Sequence, residues 1–107
     1  MNRVYNHATI IEKANIYFEG KVTSRTVIKE SGEKITLGFM QPGEYQFNTS
    51  ERECMEVING EMVIRQAGET DWLTYTSGMA FTVPKNSSFD VQVKTFADYC
   101  CSYLESE

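Results

Sequence analysis

The feature that most constrains this chain is a succession of short segments whose side chains alternate between two faces, cut by turn residues at close, fairly regular spacing. No helix-length stretch carries a 3.6-residue apolar period, apart from one suggested turn around Ile10 to Asn15. A period of two is what a half-buried strand requires, so the pattern reads as all-β. Lys21 to Ile28 sets Val22, Ser24, Thr26 and Ile28 against Lys21, Thr23, Arg25 and Val27. Ser31-Gly32 turns the chain into Lys34 to Met40, and Pro42-Gly43 breaks it before Glu44 to Asn48. Cys54 to Ile58 is followed by Asn59-Gly60, a pair that supplies the positive φ angles of a type I′ hairpin and makes Glu61 to Arg65 the expected return strand. After the polar loop Gln66 to Asp71, strands are expected at Trp72 to Tyr75, Met79 to Val83, Phe89 to Val93 and Tyr99 to Leu104. Ser77-Gly78 supplies one further turn, and Pro84 stops ladder pairing. About nine strands of this kind close as a barrel or a two-sheet roll, because open edges invite aggregation.

At 107 residues the chain has room for one domain and one core. Residues 1–13 read as a polar N-terminal tail and residues 14–107 as the folded domain. The segment Asn15 to Gly20 looks superficially like a protease-cleavage tag, but the strand pattern runs through it without a break in composition, so it is taken as native. The formal net charge of −5, with no cluster of Lys and Arg, disfavours nucleic acid as a partner, since that binding neutralises several phosphates together. No apolar run approaches the ~20 residues of a membrane-crossing helix, and Met1 to Ile11 has no apolar signal-peptide segment. A cytoplasmic location is expected, with no membrane partner.

Three cysteines, Cys54, Cys100 and Cys101, have no CxxC spacing. The adjacent pair points to opposite faces of a strand and is not expected to bridge. All three read as small buried hydrophobes in a reducing compartment. A thiol nucleophile would need a nearby imidazole, and the only histidine is His7, far off in the expected tail.

Between Gly43 and Gly60 the sequence resembles the first motif of the cupins, which is a glycine, two histidines one residue apart, a glutamate and a second glycine. Glu53, six residues and Gly60 fit its second half, and the two histidine positions fall on Phe47 and Thr49. The second cupin motif is visible as Gly78, five residues and Pro84, with its histidine position on Phe89. The resemblance implies a single-domain cupin (RmlC-like) jelly-roll β-barrel. A cupin metal needs three imidazoles and a carboxylate converging inside the barrel, whereas phenylalanine donates nothing, so no metal and no cofactor are expected.

Parity then places Tyr45, Phe47 and Thr49 on the barrel interior, with Glu53, Met55 and Val57 facing in from the next strand and Phe89, Val91 and Val93 from a later one. The result is an aromatic-lined cavity with one carboxylate and one hydroxyl. Phe47 and Phe89 either line a binding site or simply fill a core left without metal. An inward Glu53 must be hydrogen-bonded or functional, because burying it unpaired is costly; the alternative is a solvated residue at the rim.

The chain as a whole is similar to a particular cupin family, the broad-specificity pyrimidine/purine nucleoside phosphorylases. The residues that carry the likeness are Tyr17-Phe18 with Gly20-Lys21-Val22, the run Gly43 to Thr49, the run Met55 to Gly60, Asp71-Trp72, Phe81 to Pro84, Ser87 with Phe89, and Tyr99 to Tyr103. They span residues 14–104 in order, and Phe47 and Thr49 fit this family's pattern. The resemblance implies phosphorolysis: purine or pyrimidine nucleoside plus phosphate gives free base and ribose 1-phosphate, with nucleosides and inorganic phosphate as partners in the reaction. Glu53 and Thr49 are the expected catalytic residues, Glu53 either stabilising an oxocarbenium-like sugar or holding ribose hydroxyls. Phe47 and Phe89 would stack any base, and Tyr45 or Tyr103 would offer a polar contact. For phosphate the candidates are Lys21, Thr49 and Ser87, Lys21 being equally an ordinary surface lysine. A non-catalytic cupin module holding a small metabolite is the alternative, motivated by the lack of an obvious acid–base pair; a metal-dependent cupin enzyme is disfavoured by the missing histidines. A homodimer is expected, since a nine-strand roll has edges to protect.

Overall fold

A computed structural model describes residues 3–104. Of the expected tail and domain, residues 1–2 and 105–107 lie outside the described residues. The chain forms β1 (Thr9–Ile10), β2 (Asn15–Tyr17), a 3₁₀ turn (Phe18–Gly20), β3 (Val22–Ile28), β4 (Lys34–Met40) and β5 (Gly43–Asn48). It continues through β6 (Arg52–Gln66), β7 (Leu73–Thr76), β8 (Ala80–Val83), β9 (Ser88–Val93) and β10 (Ala97–Leu104). The expected all-β roll is what forms. No helix among the described residues is long and apolar enough to cross a membrane.

The hydrogen-bonded order is β1-β3-β4-β10-β6-β9-β5, with β2 added to β3 and both β7 and β8 added to β6. All pairings are antiparallel. One sheet is built from β3, β4, β10, β8 and the first half of β6; the other from β5, β9, β7 and the second half of β6. Side chains from the inner faces of both fill the space between them. Val22, Met40, Val57 and Met62 are fully buried there, as are Val83 and Val91. Each such side chain contributes roughly 1.5–3 kcal/mol relative to exposure.

Asn59-Gly60 departs from the expected hairpin. The chain does not reverse there, and β6 runs unbroken from Arg52 to Gln66. Gly60 does take a positive φ of 81°, but it spends it on a bend within the strand. The flanks explain why. Residues before the bend pair with β10 and β8, and residues after it with β9 and β7, so the strand must cross from one sheet to the other. The β10 register slips at the same place: Asp98 faces Asn59 and Tyr99 faces Val57, leaving Ile58 as an extra residue. Such a bulge bends and twists a strand. A side chain at position 60 would collide with the Phe96 carbonyl.

Two strands precede the expected first one. Thr9 and Ile10, within the expected tail, pair with Ile28 and Val27, and Asn15 to Tyr17 pair with Ser24 to Val22. The outer face of the sheet carries a small second cluster, Val27, Ile35 and Cys100, against which Tyr5 and Ala8 pack. Cys100 therefore faces outward and its neighbour Cys101 inward, and all three cysteines are free thiols.

Candidate functional site

Strand register arranges the inner face of the first sheet in rows. In one row Tyr103 on β10 stands opposite Glu53 on β6, which stands opposite Val83 on β8. In the next, Thr36 on β4 faces Cys101, and Cys101 faces Met55. In the third, Ser24 on β3 is opposite Gly38, Gly38 opposite Tyr99, and Tyr99 opposite Val57. The hydroxyls, thiol and carboxylate of these rows form one polar wall. The second sheet supplies the facing wall, where Phe47 on β5 pairs with Phe89 on β9 and their rings stack at 5.5 Å with an interplanar angle of 26°. Between the walls lies a cavity of about 120 Å³. Tyr17 and Phe18, brought back by the 3₁₀ turn, meet the Phe47 ring edge-on at 6.5 and 5.4 Å.

Glu53 is the one carboxylate of this cavity among the described residues, and it is half-buried. Cys101 donates its thiol hydrogen to Glu53 Oε1 at 3.5 Å. Burial pushes the Glu53 carboxyl above the ordinary glutamate value; the Cys101 hydrogen bond opposes this and the nearby charge of Glu51 adds to it. Burial also holds Cys101 and Tyr103 firmly in their neutral forms. They are hydrogen-bonding groups here, with no thiolate or phenolate character. Tyr99 is raised by burial in the same way.

The eight residues expected at the site thus meet differing fates. Glu53, Phe47, Phe89 and Tyr103 are brought together around one cavity. Tyr45 packs its ring against Phe18 at 4.9 Å, but its hydroxyl donates to the Gln41 carbonyl at 2.6 Å and takes no part in the lining. Thr49 and Ser87 meet each other instead of the cavity. Thr49 Oγ1 donates to the Pro84 carbonyl at 2.6 Å and accepts from the Ser87 amide at 3.0 Å, while the Ser87 carbonyl accepts from the Thr49 amide at 2.9 Å. They clip the end of β5 to the turn after β8. Lys21 is exposed just before β3 and is not among the lining residues.

The polar wall contains residues that the sequence reading did not single out: Ser24, Thr36, Tyr99 and Cys101. Alternation along Tyr99, Cys101 and Tyr103 was the available signal, since fixing Tyr103 inward fixes the other two. A larger open groove of about 370 Å³ lies elsewhere, between Cys54, Gln66, Tyr75 and Thr82, but no carboxylate lines it and burial raises the Cys54 thiol. The smaller, interior cavity is the one that brings a carboxylate, hydroxyls and an aromatic pair together.

The positions that carry imidazole ligands in the cupin pattern do not fit a transition metal here. Phe47 and Phe89 are stacked on each other and offer no donor, and the Thr49 hydroxyl is committed to Pro84 and Ser87. No group of three or more His, Cys, Asp or Glu side chains converges among the described residues.

Two sheets sharing a bent strand and enclosing such a cavity define the cupin class. A solved RmlC-like cupin from Shewanella frigidimarina NCIMB 400 has the same fold at a TM-score of 0.69 and 16% identity, covering 95% of this chain and 93% of that one. Within that class, residues 12–103 match the family model described as pyrimidine/purine nucleoside phosphorylase, and the chain belongs to that family. A pyrimidine/purine nucleoside phosphorylase of Sulfurimonas denitrificans is 52% identical over 94% of this chain and 97% of its own length. A crystal structure of a protein of unknown function from Acinetobacter sp. ADP1 superposes at a TM-score of 0.91 with 37% identity, covering 94% of this chain and 98% of that one.

Proposed function

We propose that this protein is a broad-specificity nucleoside phosphorylase, a pentosyltransferase that cleaves purine and pyrimidine nucleosides with phosphate and uses no metal or other cofactor. Family membership supports the reaction, and one structural observation carries the assignment of the site: Glu53 shares its cavity with the stacked Phe47–Phe89 pair. A base laid against the phenyl rings directs its sugar toward the hydroxyl-rich wall. Stacking accepts either base class because every base has a π face.

In the step itself an oxygen of HPO₄²⁻ forms the bond to C1′ as the C1′–N bond breaks. The bonding pair stays on the base nitrogen, which takes up the phosphate's proton. Positive charge builds on the sugar between these events, and a carboxylate held in a half-buried cavity acts on it more strongly than one in water. Glu53 is that carboxylate, with Cys101 keeping one of its oxygens in place and Tyr103 beside it. Thr49 acts through the loop it clips, as a positioning residue, and carries no proton. We read the working species as a homodimer, which size-exclusion chromatography with light scattering tests directly.

The deciding assay is a panel of nucleosides including inosine and uridine, run with and without phosphate and with EDTA. Turnover only with phosphate, unaffected by EDTA, is expected, as is loss of at least about 100-fold in kcat/KM for Glu53→Gln with an unchanged circular dichroism spectrum. Hydrolysis without phosphate, or full activity in the Gln variant, refutes the assignment.

A further inference from the structure

Phosphorolysis needs a dianion beside the sugar, yet among the described residues the cavity lining contains no lysine, arginine or histidine. Its one carboxyl group among the described residues, Glu53, repels phosphate when ionised. A cation at the rim would offset that repulsion, and the register of the strands places one there. Lys34 is the first residue of β4, two before the inward-facing Thr36, so the two share a face. It lies one step past the Ser102–Ile35 pair, in the row of Tyr103 and Glu53. The contact agrees: the Lys34 ammonium sits 4.5 Å from the centroid of the Tyr103 ring, a cation–π distance.

Five other cations are placed differently. Arg3, Lys29 and Arg65 are engaged by Glu56, Glu33 and Asp90. Arg25 donates to the Glu12 carbonyl. Arg52 neighbours Glu53 in sequence and so points to the opposite face of β6. Lys34 is exposed at its end of the row, and its ammonium makes no ion pair with a carboxylate of the described residues.

We propose that Lys34 is the phosphate-binding residue of this site, holding the anion at the cavity mouth against Tyr103 with the sugar between it and the aromatic wall. This rests on the phosphorylase reading. The Tyr103 ring keeps the ammonium near the carboxylate's row without letting the two neutralise each other, so the cation stays available to an incoming anion. The ring also limits the rotamers of a side chain that would otherwise sweep solvent.

The test separates this inference from the reading it rests on. Steady-state kinetics on Lys34→Met should raise KM for phosphate by about 10-fold or more, the cost of one lost charge-assisted contact, with KM for the nucleoside within about twofold of wild type. Lys34→Arg should recover most of the loss. In parallel, ³¹P NMR titration with inorganic phosphate should show binding to the wild type that Lys34→Met weakens by about 10-fold or more, whether or not turnover is seen. Wild-type protein inactive on every nucleoside refutes the phosphorylase reading alone, and phosphate binding then still decides on Lys34. An unchanged phosphate KM or unchanged ³¹P binding in Lys34→Met overturns the assignment, as does a wild type that binds no phosphate. The same defect appearing in Lys21→Met and not in Lys34→Met also overturns it.

Discussion

Gly38 offers the sharpest test of how the fold holds its cavity open. It pairs with Tyr99 on one side and Ser24 on the other, and the Tyr99 ring lies back across its backbone, an arrangement in which an aromatic covers a strand glycine. A Cβ added at position 38 would meet the Tyr99 ring carbon Cζ, its hydroxyl oxygen at 2.5 Å and the Thr23 carbonyl oxygen at 2.6 Å. The first two can yield only by moving a buried ring, and the third belongs to the backbone of a paired strand. Overpacking a well-filled interior costs typically 1–3 kcal/mol, and two independent obstacles place Gly38→Ala at about 2–3 kcal/mol. For a domain of this size that lowers Tm by about 10–20 °C. Thermal melting by circular dichroism reads the shift directly. Replacing the ring in a Tyr99→Leu background should reduce the cost of Gly38→Ala by about 1–2 kcal/mol while leaving the Thr23 part in place. A Gly38→Ala variant melting within ~2 °C of wild type, or the same cost in both backgrounds, would refute the reasoning.

Phe47→Ala should raise nucleoside KM about 5- to 100-fold for purines and pyrimidines alike, because it removes a stacking surface and no edge contact, whereas a selective loss for one base class would count against stacking. Gly60→Ala should destabilise the protein by about 2 kcal/mol or more in chemical denaturation, since it combines a positive φ with a collision at the Phe96 carbonyl. The raised Glu53 carboxyl predicts that the acid limb of kcat/KM lies above the ordinary glutamate range, and that Cys101→Ala moves it further up while Cys101→Ser moves it back, as pH–rate profiles will report. The same shift has a stability consequence: folded Glu53 keeps its proton to higher pH than the unfolded chain, so its contribution is fully present below the unfolded value and is lost as pH rises through the folded one. Glu53→Gln should therefore gain Tm relative to wild type as pH rises from acid to neutral, and a difference independent of pH would contradict it.

Much of this was legible in the sequence, for a local reason. Alternation along residues 45–49, 53–57 and 89–93 decides which side chains face in without reference to any other strand, and the structure places those residues as the parity requires. The opposite facing of Cys100 and Cys101 follows from the same rule. What could not be read depends on which strands meet. Asn59-Gly60 carries the same backbone signal for a hairpin and for a bulged bend, and only the distant partners β10, β8, β9 and β7 choose between them. The polar wall was hidden likewise. Ser24, Thr36 and Cys101 are unremarkable in their own segments and become a site only when register aligns them with Glu53 and Tyr103. Thr49 shows the converse, because inward parity held while its hydroxyl was claimed by the neighbouring turn.

The division of labour between the two sheets gives the substitutions at the cupin histidine positions a physical logic. An imidazole triad would have to converge on one point, which ties both sheets to a single centre. With Phe47 and Phe89 in those places, the second sheet presents a flat apolar surface with no preferred point, and the polar wall becomes an independent surface on the first sheet. The two surfaces must still keep a fixed spacing if base and sugar are to be held together. Strand β6 supplies that constraint, because it carries Glu53 in the first sheet, bends at Gly60, and pairs Gln66 with Phe89 in the second. A loosened bend would leave each wall intact and alter the distance between them. Of the predictions above, Gly60→Ala is therefore the one that should couple a stability loss to weaker binding of nucleosides without touching a single lining residue.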